Sequence, residues 1–297
     1  MIDLRYHVYS LVAVFLALAI GILIGASISG GLTGNEAISR QSRAIERLNR
    51  EFRAHQATLA EKQSALDAAT RQLRQADGLL AGLYAPLLQG RLAGRGVAIV
   101  QLGQGEEVAA SVKSALQQAG AAVNSVTRLD TDYGFGDSEK MKKAARAIPL
   151  EFQAAGKEPY QQIWGYVSTV LSAGRPGRPF ETLASVGLLQ GEGDYSRPNR
   201  FVVIVFPKGA DPVTLKDLVV QPLLGKLKDA GLSAAVASGA AGGQTPPDFW
   251  SQFDVPTVSH ADMAFGRLCL VEALVRGEGH YGLGPTEEFL PARLTAR

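Results

Sequence analysis

Cysteine is all but missing from this chain. Cys269 is the one thiol among 297 residues, which excludes an internal disulfide framework and leaves the redox compartment open. Histidine and methionine are scarce too: His7, His55, His260 and His280 sit on distant stretches, and Met1, Met141 and Met263 form no MxxM grouping. Copper(I) favours thiolate and thioether donors, so the residues offer a copper ion no gathered ligands, and no metal site is nominated. Neither sign of charge dominates. Thirty basic against 28 acidic residues leave a formal net charge of +2, and without a block of like charge there is no reason to expect a nucleic-acid partner.

The motifs of common chemistry are lacking as well. There is no GxxxxGK[ST] phosphate loop and no GxSxG nucleophile elbow. Leu102-Gly-Gln-Gly-Glu-Glu107 lies where a phosphate would rest on helix N-terminal amides. Yet the third glycine of a dinucleotide fingerprint is absent, and Glu106 and Glu107 would repel an anion there. Ser259, His260 and Asp262 are close in sequence, but neighbours along a chain rarely point at one another. Asp262 reads more simply as the N-cap of the following helix. Cys269, between Leu268 and Leu270, reads as a small buried apolar residue. No catalytic residue and no cofactor-binding residue is therefore expected.

What the chain does have is a long apolar run near its beginning. From Val8 to Asn35 there is no charged residue, and Val8 to Ile28 as a helix would be about 31 Å long, enough to span a bilayer. A cleaved secretory signal would carry a shorter apolar region behind a basic leader. Here Asp3 accompanies Arg5, so an uncleaved anchor is the reading. Ala13, Ala17, Gly21, Gly25 and Ser29 recur every four residues, along one stripe where two such helices can pack closely in lipid. Arg5 favours an inside N-terminus, whereas Arg40, Arg43, Arg47 and Arg50 after the span tilt the count the other way.

Ser29 to Gly34 interrupts the helix, and Thr33 with Glu36 forms a capping box that can start another. Ile38, Ile45, Phe52, Leu59, Leu66, Leu73 and Leu80 then follow seven apart, the spacing of a left-handed coiled coil of about 45 residues. With these as position a, the d positions are Gln41, Leu48, His55, Lys62, Ala69, Ala76 and Leu83, so half the seam is polar or small. The polar members can fix register, leave the coil marginal, or await a partner helix. His55 is an exposed polar seam residue or a pH sensor. Tethered in one membrane by their N-terminal ends, two copies would pair in parallel as a homodimer.

Beyond a Gly- and Pro-bearing joint, a soluble α/β domain is expected. Gly96–Leu102 is a buried strand, 106–119 a helix and Ala121–Thr127 the next strand, a βαβ unit. Helical patterns follow at about 138–147, 158–172 and 180–190. Phe201–Phe206 is a central strand without a polar member, and Asp211-Pro212 opens a helix over 212–230. Ala234–Ala237 is a strand, 238–247 a loop, Val255–His260 a last strand and Met263–Arg276 an apolar helix. The alternation predicts a doubly wound, mainly parallel, Rossmann-like sheet. Domain bounds fall at 1–29 (N-terminus and transmembrane helix), 30–37 (linker), 38–83 (coil), 84–95 (joint) and 96–297 (globular domain). Gly277 and Gly279 end the last helix, His280 and Tyr281 occupy a turn, and Gly284-Pro285 opens a short helix with Glu287 in its first turn. His280 and Tyr281 either pack the tail down or line a crevice with His260 and Asp262.

Two end motifs carry a resemblance. Arg5-Tyr-His-Val-Tyr-Ser-Leu-Val-Ala-Val-Phe-Leu-Ala-Leu-Ala-Ile-Gly-Ile-Leu-Ile-Gly25 and Gly279-His-Tyr-Gly-Leu-Gly-Pro-Thr-Glu-Glu-Phe-Leu-Pro291 are similar to the copper transport protein B (MctB) family, also called SteB. The resemblance implies an envelope protein of the cytoplasmic membrane whose coil and α/β domain lie outside the cytoplasm. It implies copper export or homeostasis, or control of a cell-wall hydrolase in cell separation together with a membrane partner, SteA. It supplies no catalytic residues. Three readings follow: a dimeric non-enzymatic scaffold, a copper-handling protein, and an enzyme using the α/β domain.

Overall fold

The computed structural model describes residues 4–29, 34–153, 158–207, 211–240, 246 and 248–291, with side chains over 8–27 and from 42 onward within the first two stretches. The Thr33–Glu36 capping box, the side chains of Ile38 and Gln41, and most of the 238–247 loop lie outside the described residues.

Two compact units divide the chain, Met1–Leu73 and Arg74–Arg297. The first begins with α1 (Leu4–Ser29), whose stretch Val8–Ser27 has a mean hydropathy of 2.6. Helix α2 (Gly34–Leu88) follows and runs on through Gly78, Gly82 and Pro86. Pro86 sits in its last turn, where it withholds the N–H that would have bonded the Gly82 carbonyl just before the helix ends.

In the second unit the chain continues through β1 (Gly96–Leu102), α3 (Glu106–Gln118), β2 (Ala122–Leu129), α4 (Ser138–Ala147), α5 (Leu150–Gln153), α6 (Pro159–Ala173), α7 (Glu181–Ser185), β3 (Leu189–Gly193) and β4 (Phe201–Phe206). Then come α8 (Pro212–Leu215), α9 (Gln221–Asp229), β5 (Ser233–Ser238), β6 (Thr257–Val258), α10 (Ala264–Arg276) and β7 (His280–Tyr281). The strands form one sheet in the order β3-β2-β1-β4-β5-β6-β7, parallel throughout except that β3 runs antiparallel to β2.

The alternation along each strand explains the two layers. Ala98, Val100, Leu102, Val202, Ile204 and Phe206 face a core built with α4, α6 and α9, while Val97, Ile99, Phe201, Val203 and Val205 face a second core built with α3 and α10. Helices on both faces leave no solvated side on β1 or β4, which is why their sequences contain a continuous apolar run. The doubly wound α/β architecture is as expected.

Four local expectations need correction. Residues 180–190 are not one helix: α7 ends at Ser185, and Leu189-Gln-Gly-Glu-Gly193 forms the edge strand β3, held by pairing with β2 rather than by an apolar face. The helix over 212–230 is broken by a π turn at Lys216–Val220, where the Gln221 N–H reaches back to the Lys216 carbonyl just ahead of Pro222, which has no N–H to give. His280 and Tyr281 are not a turn but β7, paired in parallel with Thr257 and Val258. No helix follows Gly284-Pro285; Glu287 lies in a turn instead.

Candidate functional site

The seam of α2 is laid bare in the single chain. Ile45, Phe52, Leu59, Leu66 and Leu73 are 56–66% exposed, and Leu48 at a d position is 71% exposed. Each such side chain gains about 1.5–3 kcal/mol when fully buried, so a partner covering the stripe gains a driving force the isolated helix lacks. The flanking e and g positions from Asn49 to Gln72 are Asn49, Glu51, Gln56, Thr58, Gln63, Ala65, Thr70 and Gln72, with a single charge among them. That one charge, Glu51, is paired with Arg47 at 3.1 Å, and Gln63 donates to Asp67 at 3.1 Å. His55 and Lys62 stand within the seam at d. Leu80 is half-buried.

On α1, a Cβ added at Gly21 or Gly25 would meet nothing within 4 Å. The stripe of Ala13, Ala17, Gly21 and Gly25 is thus open in the monomer.

Asp77 and Arg91, with three apolar side chains, fasten the end of α2 and the segment after it to their domain. The Ala264 N–H, first in α10, donates to Asp77 Oδ1 at 2.5 Å, and Arg267 lies 3.6 Å from the same carboxylate. The expected N-cap, Asp262, does not cap α10: the cap residue is Met263 without a side-chain bond, and Asp262 instead accepts the Ala240 N–H at 2.8 Å. Arg91 Nη2 reaches both oxygens of the buried Glu272, at 2.5 and 2.6 Å. Tyr84, Leu88 and Leu92 join the α3–α10 core.

Of the four crevice residues, each has its own partner. His260 carries φ 58°, the one positive value among described non-glycine residues. It is tolerated because α10 packs directly on the loop: a Cβ at Gly266 would collide with the His260 carbonyl. Ser259 Oγ lies 2.9 Å from His260 Nδ1 and donates to Glu287 Oε2 at 3.0 Å. With the hydroxyl proton directed at the carboxylate, Nδ1 is left to donate to Oγ, the reverse of the polarity a nucleophilic serine needs. The same Glu287 oxygen accepts the Gly284 N–H at 2.6 Å, so the tail is folded onto the sheet edge. His280 Nδ1 is 2.9 Å from Thr257 Oγ1. Tyr281 is buried, and desolvation raises its phenol above the ordinary range. Nothing local in Pro285-Thr-Glu-Glu288 marks Glu287 as a carboxylate that reaches back to residue 259.

At the β1–α3 turn the Gly105 N–H donates to Glu106 Oε2 at 3.2 Å, and Arg128 stands 3.6 Å from the other oxygen. Bonds from the backbone N–H groups of Glu106 and Gly105 hold that carboxyl below its usual range. The chain's own carboxylate therefore occupies the position where a phosphate would sit. A cavity of about 320 Å³ beside it is lined by Glu106, Arg128, Asp130, Asp132 and Gln190.

Among the described residues no group of three or more His, Cys, Asp or Glu side chains is placed to hold a metal ion. Cys269 is buried, and desolvation with the Glu272 charge pushes its thiol up to about 12.

Against known proteins, no curated sequence matches the chain. A family model described as "Copper transport outer membrane protein, MctB" matches residues 1–291. The chain belongs to that family, whose description carries copper transport and a membrane location.

Proposed function

We propose that this MctB-family chain is a non-enzymatic, single-span envelope protein that dimerises in parallel through α2, with α2 and the α/β domain on the extracytoplasmic side, and acts as a scaffold. Its partner on this reading is a SteA-like membrane protein or a cell-wall hydrolase whose activity it controls during cell separation. The observation that carries the proposal is the exposed stripe Ile45, Leu48, Phe52, Leu59, Leu66 and Leu73. An apolar stripe of this length on a membrane-tethered helix is supported best by burial against another helix. A photoreactive residue in place of Lys62, illuminated in cells, tests it. Cross-links to a second copy and to one envelope protein are expected; self-dimers alone would refute the scaffold role, and monomer alone would refute the dimer.

A second reading, copper transport or homeostasis, is favoured by the family description. The donors present do not fit a copper site: the one thiol is buried with its proton held tightly, and no thioether lies in a grouping with it. Copper would then be handled by a partner under the control of this chain. Titrating the intact protein with Cu(I) against a competing chelator decides, since tight stoichiometric binding would favour a direct role.

A further inference from the structure

Strand β3 ends the sheet, and its outer edge is bare. In the strand order nothing among the described residues pairs with it on the side away from β2, and Gln190, Gly191, Glu192 and Gly193 are all exposed. The phase of its ladder is fixed by two flanking bonds: the Asp194 N–H donates to the Asn124 carbonyl, and the Asp130 N–H to the Leu188 carbonyl. Residues alternate in an antiparallel pair, so Gln190 and Glu192 turn their backbone groups toward β2, while Leu189 and Gly191 turn theirs outward. An outward row of unpaired donors and acceptors is a template for another strand.

We infer that β3 pairs with β3 of a second copy, antiparallel across a two-fold axis at Gly191, joining the two sheets edge to edge. The register follows from the side chains. Centred on Gly191, the pairing sets Gly191 against Gly191 of the second copy as a hydrogen-bonded pair, and sets Gln190 against Glu192 twice by symmetry, an amide against a carboxylate. Shifting the centre to Glu192 would oppose two like charges, which is unfavourable at directly facing positions. Shifting it to Gln190 would set the two amides against each other and give up both Gln190–Glu192 pairs. On the other face, Gly191 and Gly193 carry no side chain to obstruct the approach, and a hollow of about 460 Å³ lined by Phe180, Ala184 and Tyr195 lies alongside. Tyr195 fills the space above Gly191, where an added Cβ would come within 2.9 Å of its hydroxyl. The self-complementary pattern of one amide, one glycine and one carboxylate is what an isologous contact requires. This contact uses a surface separate from the helix seam, though both imply two copies.

Disulfide trapping on the full chain in its membrane tests the pairing. In the proposed register, Gln190→Cys and Glu192→Cys in one chain face each other across a non-hydrogen-bonded pair, with Cα atoms about 4.5 Å apart and within disulfide reach. Either cysteine alone meets its own copy only diagonally, about 7–8 Å away. With diamide as oxidant, the double variant is expected to give a covalent dimer and each single variant little. Gln190→Lys, facing Glu192, should tighten the dimer roughly two- to thirtyfold, and Gln190→Glu should loosen it by a similar factor. Equal trapping by the single variants would overturn the register. A Leu66→Cys chain trapped through the helix seam while the edge double variant stays monomeric would overturn the edge contact alone; failure of both would overturn the dimer itself.

Discussion

Arg91→Ala is the substitution whose cost the structure sets most directly. The guanidinium reaches both oxygens of Glu272, whose side chain is 5% exposed, while Arg91 itself is 38% exposed. Removing one partner of a buried pair costs about 3–5 kcal/mol because the other charge is left without compensation. Arg91 is open enough to solvent that water can enter beside Glu272, so about 2–4 kcal/mol is expected here. For a domain of this size that is a fall in Tm of roughly 5–12 °C. Trp164 and Trp250 both lie in this unit, so tryptophan fluorescence on denaturation reads its stability. Restoring apolar packing in the double variant Arg91→Ala, Glu272→Leu should recover most of the loss, since the penalty is the stranded charge rather than the missing contact. If Arg91→Ala costs less than about 1 kcal/mol, or if the double variant is no better than the single one, the reasoning from an uncompensated buried carboxylate fails.

Asp77→Ala should destabilise the same unit by about 0.5–2 kcal/mol, and Asp77→Asn by less, because only the amide variant keeps an acceptor for the Ala264 N–H; denaturant midpoints compare them. Cys269 binds its proton more tightly folded than unfolded, so the stability it contributes is present below about pH 9 and is lost as pH rises toward about 12. Wild type should therefore lose more stability than Cys269→Ala between pH 8 and 10.5 in parallel melts, and steeper loss in the variant would contradict this. His55→Leu with Lys62→Leu should strengthen association of the full chain in detergent, measured by sedimentation, by completing the apolar seam at d; weaker association would mean that these residues face elsewhere.

The central strands were legible because burial on both faces leaves its mark on every residue, as in Phe201-Val-Val-Ile-Val-Phe206. The edge strands were not. Gln190, Gly191 and Glu192 carry no apolar alternation, and β3 exists through its ladder to β2, a partner some sixty residues earlier in the chain. The same holds at the caps. Asp137 and Asp211 each accept an N–H two residues on, and so can be read locally. The carboxylate that serves α10 comes from Asp77, 187 residues away. In the candidate site, Ser259 and His260 are neighbours in the sequence, but their link to Glu287 depends on the tail returning to the sheet edge. The left-handed turn at His260, which lets Gly266 approach, had no counterpart in the residue pattern.

The reach of Asp77 and Arg91 into α10 has a mechanical consequence. Asp77 binds the first N–H of α10 and Arg91 holds the buried Glu272 further along it, so both ends of the short segment between them bear on one helix, which opens beside the left-handed backbone of His260. Inside this domain a displacement of either clasp is therefore carried along α10 to the sheet edge where Glu287 pins the tail.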